Sequence, residues 1–351
     1  MRYKLLGKSG LRVSEICLGT ITFGSELNWG ASREESQKIY EVFREAGGNF
    51  IDTANVYTYG TCEKLLGEFI ASEREQIVLS TKYTGSFGSN NPNGAGNHRK
   101  NMIQSVEASL KRLNIDYIDL LLVHAWDFMT PAEEVMRGLD DLVRAGKVLY
   151  IGISNAPAWV VSQCNMLAEL RGWTKFVSLQ IPYNLIERTP EREMLPMART
   201  LDLGVTAATP LASGWLTGKY TNGQENGQEP KRLDDKWMSG FVDKNQRNQQ
   251  IAQTVDQIAH QIGQSSGQVA LNWLREQGVI PIIGVRKASQ AKENLKCIDF
   301  NLSPEHLELL NQISQIELGY PNHFFNMEMV KNFVSDGMYQ AIDNHRFSPV
   351  L

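Results

Sequence analysis

Eight short apolar runs recur along this chain, each followed by enough residues for a helix, and most of them stop at a polar or ionisable side chain. Residues 16–18, 50–52, 77–82, 117–123, 148–153, 176–179, 204–209 and 279–284 read as buried strands. The run at 117–123 is continuous in apolar residues, as a strand covered on both faces must be. Asp52, Lys82, His124, Ser154, Asn155, Gln180 and Thr209 stand at or just beyond strand ends. Parallel strands deliver functional groups at their carboxyl ends, so the pattern predicts an α/β protein with a (β/α)8 TIM barrel and a site on its C-terminal face. A doubly wound Rossmann sheet is the competitor. Its G-x-G-x-x-G fingerprint is not met by Gly19-Thr20-Ile21-Thr22-Phe23-Gly24, which lacks the middle glycine.

The intervening stretches carry helix signals. Ser32 and Glu35 form an expected capping box, ahead of a stripe of Ile39, Val42, Phe43 and Ala46 closed by Gly47-Gly48. Thr130-Pro131-Ala132-Glu133 reads as a cap, a first-turn proline and an acid. Residues 3–15 alternate around Lys8-Ser9-Gly10 and predict a hairpin outside the main sheet. Residues 84–98 read as a polar rim loop, and 221–240 as an exposed insertion. A chain of 351 residues, 42% hydrophobic, suits one barrel domain spanning 1–351. The hairpin (1–15) lies at one end. An extension (319–351), with Pro321, Phe324, Phe325 and Phe333, is expected to pack over the barrel at the other.

A net charge of −4 offers no basic field for nucleic acid or an anionic membrane. Cys17, Cys62, Cys164 and Cys297 are scattered singly, which suggests neither a metal site nor a disulfide framework. No run approaches the ~20 apolar residues of a membrane span, and the N-terminus has no signal-like apolar core. A cytoplasmic protein handling a small molecule is the expectation, with its oligomeric state open.

If the strands ending at 52, 82 and 124 are neighbours, Asp52, Tyr57, Lys82 and His124 meet at one mouth. Singly, the plainer readings prevail, Lys82 as a snorkelling surface lysine and His124 as a satisfied core histidine. Together they suit protonation of a carbonyl while hydride arrives from elsewhere. Tyr57 would be the acid, an adjacent Lys82 ammonium would bring its pKa toward neutrality, Asp52 would compensate the lysine, and His124 would orient the substrate oxygen.

These blocks in their order resemble the aldo-keto reductase family: Leu18-Gly19-Thr20, Asp52-Thr53-Ala54 with Tyr57 and Gly60, Ser80-Thr81-Lys82, and Asp119 to His124. Gly152-Ile153-Ser154-Asn155, Gln180-Ile181-Pro182-Tyr183-Asn184, Pro210-Leu211 and Ile280 to Gly284 extend the likeness over nearly the whole length. The resemblance implies a barrel that binds NADPH without a Rossmann fold and reduces aldehydes or ketones with an Asp52, Tyr57, Lys82, His124 tetrad. It implies that Ser154, Asn155 and Gln180 hold the nicotinamide carboxamide. Gly19, Thr20 and Thr209 are further expected cofactor contacts, and the loop at Pro210, Leu211, Ser213 and Lys219 is expected over the pyrophosphate. The segment from Gly284, with Arg286, Gln290, Glu293 and Asn294, matches the family's adenosine-phosphate segment, where Arg286 favours a 2′-phosphate. Many members carry a stacking aromatic where Ala208 stands here. Trp29, Phe87 and Trp126 are expected substrate contacts. A likeness to the branch containing potassium-channel β subunits leaves a cofactor-bound regulatory subunit as the second reading, and a non-redox hydrolase as the third.

Overall fold

The computed structural model describes residues 1–26, 29–86, 88, 90–221 and 242–343. Two short antiparallel strands, β1 (Tyr3–Leu5) and β2 (Arg12–Ser14), form a separate hairpin. Eight parallel strands then close a barrel: β3 (Cys17–Gly19), β4 (Phe50–Asp52), β5 (Val78–Tyr83), β6 (Ile118–Val123), β7 (Val148–Ser154), β8 (Phe176–Pro182), β9 (Gly204–Ala208) and β10 (Ile280–Ile283). They run in sequence order around the wall, and β10 pairs back onto β3 to seal it. The (β/α)8 barrel and its external hairpin are as the sequence predicts.

Register sorts the barrel interior into layers. Inside the barrel, Cys17, Phe50, Val78, Leu120, Leu122, Ile280 and Ile282 cluster with Leu6 and Val13 of the hairpin. The hairpin therefore plugs the end opposite the strand termini. It is pinned there by Lys8 N donating to the Asp202 carbonyl at 2.7 Å and by an Arg275–Glu15 ion pair at 2.9 Å. One layer higher the interior turns polar, with Gly19 beside Asp52, Asp52 beside Ser80, and Ser154, Gln180 and Thr206 side by side.

The outer layer comprises α1 (Arg33–Glu45), α2 (Thr61–Ile70), α3 (Arg99–Leu113), α4 (Ala132–Arg144), α5 (Ala158–Arg171), α6 (Met194–Thr200), α7 (Gln246–Ile262), α8 (Ser266–Glu276), α9 (Ala288–Leu295) and α10 (Pro304–Ser314). Ser32 caps α1 by accepting from Glu35 N, but the reciprocal half of the expected box is absent. Because α1 packs along α9, the Glu35 carboxylate accepts instead from Ala288 N at 2.7 Å. A complete box occurs at α8, between Ser265 and Gln268. Thr130 is no cap either: Pro131 takes the cap position, and the Thr130 hydroxyl donates to Asp127 Oδ2 at 2.8 Å.

Beyond α10 the chain makes α11 (Asn322–Asn326) and α12 (Glu328–Val334). Asn322 Nδ2 ties this tail to the Arg192 carbonyl, and Val330 is buried. Of the tail aromatics, Phe324, Phe325 and Phe333 are 41%, 45% and 82% exposed. The insertion expected at 221–240 lies, apart from Thr221, outside the described residues. Among the described residues no helix is long and apolar enough to cross a membrane.

Candidate active site

Alternation along β5 turns Ser80 and Lys82 toward the same interior face, and all six residues of the strand are buried. Lys82 has no exposed surface. Its Nζ donates to Asp52 Oδ2 at 2.5 Å, to the Thr53 carbonyl at 2.8 Å and to Tyr57 Oη at 3.2 Å. The other oxygen of Asp52 accepts from Gln180 Nε2 at 2.9 Å and from Ser80 Oγ at 3.1 Å. A buried ammonium is tolerable only when paired and hydrogen-bonded on all sides, and here it is.

Tyr57 opens a tight turn, Tyr57–Gly60, in which Thr58 and Tyr59 have φ of 42° and 55°. Left-handed backbone is costly for a β-branched residue. Thr58 is held in it by donating to the Phe23 carbonyl at 2.9 Å and accepting from Cys62 N at 3.0 Å. The His124 ring stands edge-on to Tyr57, centroids 6.0 Å apart. Its backbone is fixed by His124 N donating to the Tyr83 carbonyl and by Asn155 Nδ2 donating to the His124 carbonyl at 2.8 Å. The structure thus brings Asp52, Tyr57, Lys82 and His124 together at one end of the barrel.

Electrostatics sharpen the picture and correct one expectation. Burial raises Tyr57 above its ordinary value near 10; the Lys82 ammonium pulls it down but does not outweigh burial, to which Asp52 adds. The phenol is therefore firmly protonated in the protein alone, rather than brought toward neutrality. Burial lowers Lys82, yet Asp52 and Tyr57 more than restore it, leaving the amine protonated. Burial and then Lys82 push His124 down to about 3, so the imidazole is neutral.

From Asp52 and Tyr57 a groove of about 350 Å³ runs outward along the barrel mouth. Gly19, Thr20, Gln180, Thr209, Pro210, Leu211, Ser213 and Lys219 line its length, and Gly284, Arg286, Gln290, Glu293 and Asn294 line its far end. Trp29 forms part of the wall, as does Ala208, which presents no ring. A Cβ at Gly19 would lie 2.7 Å from Ile282 Cγ2, so the wall beside Asp52 stays flat. The Ser213 hydroxyl is buried in the groove lining without a hydrogen-bond partner. An elongated anionic ligand with a flat ring system at the Tyr57 end fits these features: an unmet hydroxyl, the Lys219 and Arg286 side chains, and a glycine wall.

Ser154 and Asn155 are not part of the groove lining; Asn155 Nδ2 donates to Ser154 Oγ at 3.0 Å and to the His124 carbonyl. Gln180 lines the groove but commits its amide N–H to Asp52. Trp126 packs against the main core, outside the lining, and Phe87 lies outside the described residues. Sequence reasoning missed Ser80 as a partner of Asp52. The spacing held the clue, since a residue two before Lys82 on a strand must share its face. Among the described residues no group of three or more His, Cys, Asp or Glu is placed to hold a metal ion.

The model of the "Aldo/keto reductase family" matches residues 15–315. A norsolorinic acid reductase of Aspergillus flavus is 34% identical over 99% of this chain and 90% of its own length. A putative aryl-alcohol dehydrogenase of Saccharomyces cerevisiae is 35% identical over 91% of this chain and 88% of its own. An aryl-alcohol dehydrogenase [NADP(+)] of Phanerodontia chrysosporium is 35% identical over 90% and 86%.

Proposed function

The chain belongs to the aldo/keto reductase family and is an oxidoreductase, and from that premise we propose that it reduces an aldehyde or ketone to an alcohol at the expense of NADPH. The observation that carries the reading is Lys82 Nζ held within hydrogen-bond reach of both Asp52 and Tyr57 Oη at the inner end of the groove. In this reading Tyr57 gives its proton to the carbonyl oxygen as the carbon is reduced. The phenolate left behind is stabilised by the ammonium 3.2 Å away, and Asp52 keeps that ammonium charged in a buried place. Neutral His124 donates an N–H to the same oxygen and orients it. A pKa above 10 keeps Tyr57 loaded with its proton at neutral pH, which suits reduction; running the reaction backward needs the phenolate and so favours higher pH.

Bound reduced nicotinamide supplies the hydride. The family likeness assigns Ser154, Asn155 and Gln180 to its carboxamide, which requires that Ser154 and Asn155, outside the groove lining here, and the Gln180 amide, bonded to Asp52 here, turn toward it on binding; Ser213 and Lys219 are assigned to the pyrophosphate, and Arg286 to the 2′-phosphate, with Gln290, Glu293 and Asn294 around the adenosine. Gly19, Thr20, Thr209, Pro210, Leu211 and Gly284 provide the surface between. The relatives named for aryl alcohols favour an aromatic carbonyl substrate, with Trp29 of the groove wall beside it. We place the protein in the cytoplasm, where four buried, unpaired cysteines are at home.

The test is a panel of aromatic aldehydes and ketones followed by NADPH absorbance. Tyr57→Phe is expected to bind NADPH as tightly as the parent and to lose about 10²-fold or more in kcat. Undiminished turnover in that variant removes Tyr57 as the acid.

A further inference from the structure

The groove has one end at Tyr57 and the other at the start of α9, and the two ends make different chemical demands. On the reading given under Proposed function the reacting ring lies at Tyr57 and the adenosine at Arg286, Gln290, Glu293 and Asn294, which line the same groove. The unpartnered Ser213 hydroxyl, buried in the lining, marks the stretch between. NADPH and NADH differ only by a phosphate on the adenosine ribose, so whatever discriminates them acts at the α9 end.

That end is electrically mixed. Arg286 and Lys287 bring positive charge to it, and the first amides of α9 add the partial positive charge of a helix N-terminus. Glu293 opposes them from the lining. The second opposing charge comes from a different part of the chain. Glu35, on α1, accepts from Ala288 N at 2.7 Å and so takes a first-turn donor of α9 with its own carboxylate. Ala288 stands two residues from both Arg286 and Gln290. The Arg286 N–H in turn donates to the Gln290 side chain at 3.0 Å, so the turn that bears the arginine is fixed next to this carboxylate. Because α1 packs along α9, Glu35 is held there by the fold.

We infer that Glu35 is a cofactor-discriminating residue: its carboxylate, held on Ala288 N behind the turn that bears Arg286, opposes the positive charge that would draw a 2′-phosphate, narrowing the preference for NADPH so that NADH is also accepted. The inference rests on the dinucleotide reading of the groove given under Proposed function. It does not depend on the identity of the carbonyl substrate.

Binding of NADPH and NADH to the full chain, read by quenching of tryptophan fluorescence at low ionic strength, separates the two. Glu35→Gln keeps an oxygen to accept from Ala288 N and removes only the charge. It is expected to tighten NADPH about tenfold while changing NADH less than about twofold, with the difference shrinking as salt is added. Glu34→Gln changes net charge equally one position away, on an exposed carboxylate that accepts from Ser32 Oγ, and is expected to leave the NADPH to NADH ratio unchanged. A ratio unmoved by Glu35→Gln, or moved as far by Glu34→Gln, overturns the assignment to Glu35 and leaves the groove reading standing. A parent chain that binds neither dinucleotide overturns both.

Discussion

Lys82 is an amine with no exposed surface, and its charge is balanced by a single carboxylate, Asp52, whose two oxygens are both engaged. Removing one partner of such a pair strands the other. Lys82→Met is therefore expected to cost about 3–5 kcal/mol of stability, and adding Asp52→Asn to it to recover a large part. Urea unfolding of the parent, the single and the double variant checks this; a double variant no more stable than the single one means the pair is not coupled as drawn. His124 gives a second prediction. Its folded pKa of about 3 lies below the 6.5 of an exposed histidine, so below 6.5 the unfolded chain binds the extra proton. Its contribution to stability is complete above pH 6.5 and is lost as pH falls toward 3. In melts at pH 7 and pH 4.5, His124→Asn is expected to lose less Tm on acidification than the parent, and an equal loss in both would assign the acid sensitivity elsewhere. At this scale the four ionisable residues were legible because each stands at or just after a strand end. The direction of the Tyr57 pKa was not, because it depends on how much water burial removes, and spacing does not report that. Ser80 was hidden for a different reason: a serine among apolar neighbours looks like an ordinary strand residue until register puts it beside Asp52.

Among the elements, the N-terminal hairpin was legible from its alternation and turn, but its task was not. Gly7 shows what that task demands. At φ +52° it lies so near the barrel base that a Cβ would fall 2.4 Å from the Val177 carbonyl oxygen and 2.6 Å from that of Asp202. Gly7→Ala is expected to lower stability by about 1–3 kcal/mol while leaving NADPH affinity unchanged, since the hairpin plugs the end of the barrel away from the groove. Calorimetry and a binding titration on the same preparation decide it; a variant as stable as the parent would mean the plug is dispensable. Helix starts show where local reading stops. The capping box at Ser32 was half right, because the preferred partner of Glu35 turned out to be an amide 253 positions further along the chain. Aromatic residues in a terminal extension suggest packing, yet composition does not say against what, and Phe333 remains largely exposed.

At the scale of the whole molecule, the barrel followed from strand count and alternation, whereas the groove did not, because its walls come from segments scattered from Gly19 to Asn294. A ligand that spans such a groove stabilises the native state by mass action. NADPH at 100 times its dissociation constant is expected to add about 2.7 kcal/mol, roughly 3–4 °C in Tm for a chain of this size. Thermal melts with and without the dinucleotide test it; an unmoved Tm at saturating concentration would contradict binding to the folded state.

The barrel's seam joins β3, at residues 17–19, to β10, at residues 280–283. On the ribosome, then, the wall that carries the reactive mouth stays open until residue 283 has left the exit tunnel. A nascent chain released earlier, or a gene cut short of that codon, leaves β3 without its β10 partner: the first strand of the wall must wait for the last.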